Sequence, residues 1–375
     1  MRCVDEIPAE ELKGKRVVLR SDFNLPLDKN GEVGDVFRLK RGWQTVQYLA
    51  GRGARVVILS HIGREPDESN EPVALAMQKF GHVVFVADLL GPAAKGAVAA
   101  MRDGDVVFLE NLRRDPRETA NDEDFAKELA TYGDIYVGDA FAAAHREHAS
   151  IVGIAKFLPS YAGFLMRDEV KNLSAALSPE RPSFAILGGA KFETKAPLIA
   201  KLLATYDHLF IVGALANDVF KARGLPVGKS LVSKESPSED VLEHANFIAP
   251  IDVTVEQADG QSRTKKPEEV DSEDKIMDIG PDSVAAVAPY ITSAKFILWN
   301  GTTGYYEGGY ISWMKALGEL VGKSGGQKVI GGGDTIAALE ISGVDQSKLG
   351  FMSTGGGAML EFLMKGTLPG IEVLK

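Results

Sequence analysis

The sequence predicts an α/β protein built from two doubly wound, Rossmann-like parallel-sheet domains joined by a long helix. Three observations carry that expectation. Short apolar runs recur along all 375 residues, and they are continuous rather than alternating, as strands buried on both faces are. Longer segments with helical spacing lie between the runs. Polar or glycine-rich turns follow the runs, where doubly wound sheets bind their ligands.

Taken in order, the runs begin with Arg16-Val17-Val18-Leu19, Arg55-Val56-Val57-Ile58-Leu59 and His82-Val83-Val84-Phe85-Val86. Asp105-Val106-Val107-Phe108-Leu109 and Asp134-Ile135-Tyr136-Val137 complete the first half, with a helix expected over Asn121–Tyr132 between them. A second helix is expected over Tyr161–Leu177, with Phe164, Leu165, Val170, Leu173 and Leu177 as its apolar positions. Ser178-Pro179-Glu180-Arg181-Pro182 breaks it and marks the domain boundary. The second half has runs at Ser183–Leu187, His208–Val212, Lys295–Trp299 and Gln327–Ile330, and a polar, glycine-containing loop over Gln257–Lys266.

Lysine and arginine number 42 against 52 acidic residues, giving a net charge of −10. That balance argues against nucleic acid or an anionic membrane as partner. The single cysteine, Cys3, leaves no disulfide framework within the chain, which points to a reducing compartment. No run of signal-peptide or membrane-spanning length is present. A soluble cytoplasmic protein is the expectation.

In the first half several strands end in polar groups. Asp22 and Asn24 follow the first, Ser60-His61-Ile62-Gly63-Arg64 the second, and Glu110-Asn111-Leu112-Arg113 the fourth. The fifth leads to Asp139-Ala140-Phe141 and His145-Arg146-Glu147-His148, while Arg38 follows the first strand by a loop. Arginine donates paired hydrogen bonds to phosphate or carboxylate oxygens. Singly, each arginine reads as a surface ion pair and each histidine as a cap or core residue. Their repetition at strand ends reads as a site for a small polyanion.

In the second half, Gly331-Gly332-Gly333-Asp334-Thr335 and Ser353-Thr354-Gly355-Gly356-Gly357 each follow a run and precede a helical segment. Glycine lets backbone approach closely, and a helix N-terminus offers free amides to phosphate. Asp334 is placed to hold Mg²⁺. The bland reading of such triplets is a tight strand-to-helix turn. Gly188-Gly189-Ala190-Lys191 is a third such turn, and Lys191 and Lys195, four apart, share a face if the helix has begun. Gly224–Ser230 and Gly318–Ser324 are not P-loops, since three residues rather than four separate their glycines.

These motifs together closely resemble the phosphoglycerate kinase family, over essentially the whole chain. Asp22-Phe23-Asn24-Leu25-Pro26-Leu27, His61-Ile62-Gly63-Arg64, Leu109–Arg113 and Asp139–Phe141 through Ala144-His145-Arg146 match its first half. Gly188–Lys191, Val227-Gly228-Lys229-Ser230-Leu231, Asp278-Ile279-Gly280-Pro281, Trp299-Asn300-Gly301 and the two glycine triplets match its second. The resemblance implies the glycolytic reaction 1,3-bisphosphoglycerate + ADP ⇌ 3-phosphoglycerate + ATP with Mg²⁺. It also implies a monomeric, hinge-bending enzyme whose C-terminal segment returns to the first domain. With the boundary above, this divides the chain into a 3-phosphoglycerate domain 1–165, a linker helix 166–180, a nucleotide domain 181–360 and a returning segment 361–375.

Carried over by position, the substrate loops are Asp22, Phe23, Asn24, Arg38, His61, Ile62, Gly63, Arg64, Arg113 and Arg146. Lys195, Glu307, Gly332, Gly333, Asp334 and Thr335 would meet the nucleotide, with Asp334 on the metal. Arg38, Lys191, Lys195 and the backbone at Gly333 and Gly356 would steady the phosphoryl group in flight. The chain departs from the family at Thr302, where proline is usual, at Ala214 in a usual glycine run, and at Ala142, Ala143 and Arg114. A catalytically silent binding paralogue is the alternative; retention of Arg38, Lys191, Lys195 and Asp334 argues against it.

Overall fold

The computed structural model describes residues 1–34 and 36–375, and the side chains of all of these but Val36 and Phe37. It divides into two compact units. One comprises Met1–Lys171 with Thr367–Lys375, the other Asn172–Gly366.

The first unit is built on a six-stranded parallel sheet. Its strands are β1 (Arg16–Ser21), β2 (Arg55–Leu59), β3 (Val84–Val86), β4 (Val106–Leu109), β5 (Ile135–Asp139) and β6 (Ser160–Ala162), in the order β3-β4-β2-β1-β5-β6. Every residue of β4 is buried, as its uninterrupted apolar run requires. Val17, Leu19, Val56, Ile58, Val106 and Phe108 share one core with Leu39, Val46 and Leu49 of the helix Val36–Gly51.

Two helix boundaries differ from the sequence expectation. The helix expected over 121–132 spans Glu123–Ala130, because Asn121 takes a positive φ of 53° and the Asp122 carboxylate caps the amide of Phe125 at 2.8 Å. The helix expected from Tyr161 starts at Phe164, because Ser160–Ala162 pairs in parallel with β5. Its first turn is held from the sheet: Asp139 Oδ1 accepts the amide of Met166 at 3.0 Å and Thr45 Oγ1 that of Phe164 at 3.0 Å. The C-terminal residues pack on this unit through Val373 against Ala140, Ala143, Ile151 and Val152, and the amide of Gly370 donates to Ala144 at 2.8 Å.

The second unit holds another six-stranded parallel sheet. The strands of the whole unit are β7 (Ser183–Leu187), β8 (His208–Ile211) and β9 (Phe247–Ile248), then β10 (Val253–Glu256), β11 (Ser262–Lys265) and β12 (Lys275–Ile279), and finally β13 (Phe296–Asn300), β14 (Gln327–Gly331) and β15 (Phe351–Ser353). The parallel order is β15-β14-β13-β7-β8-β9; β11-β10-β12 form a separate antiparallel sheet. Its strand β11 falls within 257–266, where a loop is expected from the sequence. Only Val253 and Val255 of its hairpin are buried, against Phe220, and β11 is polar and largely exposed, so its sequence carries no apolar signal. In both parallel sheets the chain reverses direction beside the first strand, between β1 and β5 and between β7 and β13. Crevices of that kind are where such folds take ligands.

Candidate active site

At the first crevice, the loops after β1, β2 and β4 are stitched together by side-chain amides. Asn24 Oδ1 accepts the amide of Gly63 at 2.9 Å. Asn111 donates to the carbonyl of Ile62 at 3.0 Å and accepts from the amide of Arg113 at 3.0 Å. Arg113 Nη1 in turn donates to the carbonyl of Gly63. The positive φ of Gly63, 62°, turns that carbonyl toward the arginine, and a Cβ there would strike the Glu68 carboxylate.

Positive charge gathers around His61. Burial, then Arg20, Arg113, Arg146 and finally His148 hold its pKa well below the usual histidine value. Burial and the same arginines lower His148 to about 4. Burial and Arg146 also lower Arg113. Concentrated, partly desolvated cationic charge of this kind calls for an anion. Asp22 is buried beside it, and Arg146 Nε lies 3.3 Å from His145 Nε2.

Two of the predicted substrate-loop residues have buried side chains. Phe23, fully buried, stacks edge-on to Phe108 at 6.1 Å between ring centres, and Ile62 is also in the core. Their side chains shape the loops and offer nothing to an anion. Arg38 lies partly exposed on the helix Val36–Gly51, and Arg64 is exposed in the loop after Gly63. Both belong to the same unit as the cluster. Sequence reading takes Arg20 only as the start of the anion-gripping string Arg20–Leu27, and passes over Ser150 and Glu118. The available signal was an arginine ending the apolar run Val17-Val18-Leu19.

At the second crevice the backbone is packed to its limit. The amide of Gly188 donates to the carbonyl of Asn300 at 2.7 Å. Asn300 Nδ2 donates to the carbonyl of Gly331 at 2.9 Å, and the amide of Gly301 donates to Thr335 Oγ1 at 2.7 Å. A Cβ on Gly188 would come within 2.4 Å of the Thr302 carbonyl. Helices start at Gly333 and Gly356, and a Cβ on Gly356 would sit 3.8 Å from the Gly333 nitrogen. Two helix N-termini therefore present their free amides side by side.

Beside them opens a pocket of about 550 Å³, whose wall includes Gly189, Ala214, Asn217, Asp278, Thr302, Glu307 and Asp334. Burial, with Asp334 and Glu307 facing its phenol, raises the pKa of Tyr306 in that wall. Burial also raises Asp278 to about 7. Of the predicted nucleotide residues, Glu307 and Asp334 line this pocket directly. Thr335 is buried beneath it, its hydroxyl engaged by Gly301.

Lys195 is mostly desolvated, which lowers its pKa, and no carboxylate pairs with it among the described residues. Its Cε lies 3.2 Å from where a Cβ of Gly189 would stand, at the pocket's edge. Lys191 does not share a helical face with it. The helix begins only at Phe192, and Lys191 caps it in the left-handed conformation, φ 64°. The exposed Asp334 fits Mg²⁺, which commonly takes one or two carboxylates and completes its shell with substrate phosphates and water. Among the described residues no three His, Cys, Asp or Glu side chains gather into a metal cluster.

Comparison with known proteins agrees with this geometry. The family model described as phosphoglycerate kinase matches residues 5–366. Curated phosphoglycerate kinases of Pelotomaculum thermopropionicum and Moorella thermoacetica are 41% and 40% identical, each alignment covering 97% of both chains. The solved phosphoglycerate kinase of Coxiella burnetii is similar with TM-score 0.83 at 35% identity, covering 97% of this chain and 96% of that one. That of Pyrococcus horikoshii has TM-score 0.88 at 28% identity, over 100% and 98%.

Proposed function

The chain belongs to the phosphoglycerate kinase family, and on that premise we propose that it moves a phosphoryl group reversibly between 1,3-bisphosphoglycerate and ADP, giving 3-phosphoglycerate and ATP. The observation that carries the reading is the pair of helix N-termini at Gly333 and Gly356, abutting beside a pocket walled by Glu307 and Asp334.

In the forward direction an ADP β-phosphate oxygen attacks the acyl phosphorus. The P–O bond to the carboxylate breaks as the new P–O bond forms, and no proton need move. Such transfers have a loose transition state, so positioning and neutralisation of charge do most of the work. Asp22, Asn24, Arg38, His61, Arg64, Arg113 and Arg146 hold the glycerate anion in this reading. Lys195, Glu307 and the turn Gly332–Thr335 hold the nucleotide. Arg38, Lys191, Lys195 and the amides at Gly333 and Gly356 surround the phosphoryl group. Asp334 would hold Mg²⁺, which when bound would supply further neutralisation of charge.

Desolvation suits Lys195 to that role, since a desolvated ammonium with no carboxylate beside it among the described residues gains most from a phosphate partner. The reading includes a hinge near the helix expected over Tyr161–Leu177, by which water is kept from the acyl phosphate; compaction in solution scattering with both ligands tests it. We also take the protein to be cytoplasmic, for which the buried free thiol of Cys3 speaks, and monomeric, as the family resemblance implies.

The deciding experiment is ATP formation from 1,3-bisphosphoglycerate and ADP with Mg²⁺, with Lys195→Ala as control. Turnover that collapses in the control supports both the activity and the nucleotide site. A folded protein that binds both ligands without turnover overturns the reading in favour of a silent paralogue.

A further inference from the structure

Arg20 is an arginine inside a sheet. It is 1% exposed, the most buried charged side chain of the basic cluster. Each end of its guanidinium is used. Nε donates to Ser150 Oγ at 2.9 Å, Nη1 to the carbonyl of Ser21 at 2.5 Å, and Nη2 lies 3.1 Å from His61 Nδ1. Ser150 Oγ in turn donates to Glu118 Oε1 at 2.6 Å, and the Ser150 amide donates to Glu118 Oε2 at 2.9 Å. A buried chain of contacts thus runs from Glu118 through Ser150 and Arg20 to His61.

The chemistry of the last link fixes the histidine. A guanidinium has five donors and no acceptor, and it keeps its proton in proteins. At 3.1 Å from it, Nδ1 of His61 must be the acceptor. An acceptor nitrogen carries no hydrogen, so the one ring proton sits on Nε2 and the ring is neutral.

We propose that Arg20 is a positioning residue that locks His61 in the neutral Nε2–H tautomer, so that His61 meets the anionic substrate as a hydrogen-bond donor and not as a cation. The proposal rests on the assignment of His61 to the 3-phosphoglycerate site. Glu118 serves as the counter-charge that lets Arg20 stay buried. The charges that act most strongly on His61 are Arg20, Arg113, Arg146 and His148, all of which oppose a second proton on the ring; Asp22 and Glu118, which act on Arg113, are the opposite charges of the same cluster. His148, 3.7 Å from Glu118 Oε1 through its Nδ1, is the neighbour that shares the same carboxylate. Positive charge for the anion then comes from the arginines, whose protonation does not vary near neutral pH. A neutral donor adds direction without making binding depend on the pH range in which histidines ordinarily titrate.

Nitrogen-15 spectroscopy of the histidine rings in the full-length protein tests this without reference to turnover. His61 is assigned by difference against His61→Gln. The expected spectrum shows an unprotonated Nδ1 and a protonated Nε2, unchanged from pH 8 to 5.5. An imidazolium at pH 7, or the Nδ1–H tautomer, overturns the proposal even if the enzyme is active. Arg20→Met together with Glu118→Gln removes the donor and its counter-charge. In that variant the ring should exchange between tautomers and titrate. The KM for 3-phosphoglycerate should rise about tenfold, one hydrogen bond's worth, with the KM for ATP unchanged. Should that variant not fold, Ser150→Ala weakens the same chain of contacts, and the wild-type spectrum alone remains decisive.

Discussion

The hydroxyl of Thr335 accepts the backbone amide of Gly301 at 2.7 Å. One bond thereby ties the loop after β13, which leads to Glu307, to the first turn of the helix that carries Asp334. Thr335→Val keeps the shape and leaves the Gly301 amide without its acceptor, at a cost of about 1–3 kcal/mol. Urea denaturation should show that loss, and the KM for the nucleotide should rise while that for 3-phosphoglycerate stays level. Thr335→Ser should restore both. Equal stability of the valine variant and wild type would refute the tie.

How much of this was legible in the sequence depends on where each signal resides. Val106–Leu109 is buried throughout and announced itself as a strand. Ser262–Lys265 pairs as an edge strand through backbone alone, and its polar side chains said loop. Asp334 and Glu307 were readable because their motifs are local. The link from Arg20 to Glu118 was not, because residues 20, 61, 118 and 150 meet only after the strands have been ordered. Whether Lys191 and Lys195 share a helical face depends on where the helix starts, which nothing in Gly-Gly-Ala-Lys marks; the positive φ of Lys191 sets it just outside.

Arg38→Ala should lower kcat by roughly 10³-fold or more, the scale on which an arginine supports phosphoryl transfer. Arg38 is partly exposed near the start of its helix, so far-ultraviolet circular dichroism and the melting temperature should be near wild type. A rate within a few-fold of wild type would remove Arg38 from the reaction.

Asp334→Ala should weaken binding of Mg²⁺–ADP far more than binding of ADP without metal. The side chain is exposed and follows the glycines at the helix start, so its loss leaves the turn intact. Titration calorimetry with and without Mg²⁺ measures the difference. Equal weakening in both titrations would assign Asp334 to the turn or the nucleotide instead of the metal.

Burial raises the Asp139 carboxyl to about 7, with Thr45 and the amides of Met166 and Leu165 pulling the other way. The native state therefore holds this proton more tightly than the unfolded chain does. The contribution to stability is complete below the ordinary carboxylate range and is lost as pH rises through about 7. Asp139→Asn keeps a side chain of the same size and removes the titration. Its urea midpoint should change less than that of wild type between pH 5 and 7.5. Parallel curves for the two proteins would show that Asp139 is ionised in the native state.

The approach of Gly301 to Gly188 makes a sharp demand on residue type. Gly301 has φ 102°, and a Cβ there would lie 2.4–2.5 Å from the backbone of Gly188. Gly301→Ala meets two penalties, an unfavourable dihedral and a collision with backbone that cannot swing away as a side chain can. Gly309, with φ 87° and nothing within 4 Å of its Cβ position, isolates the first penalty. Gly309→Ala should therefore lose only about 1–2 kcal/mol and keep its nucleotide KM. Gly301→Ala should lose distinctly more stability, and its nucleotide KM should rise, because the shift passes into the turn holding Gly188 and Gly189 at the pocket's edge. If the two variants were equally stable, the loop after β13 would have room to retreat, and the close approach would not be what shapes the pocket.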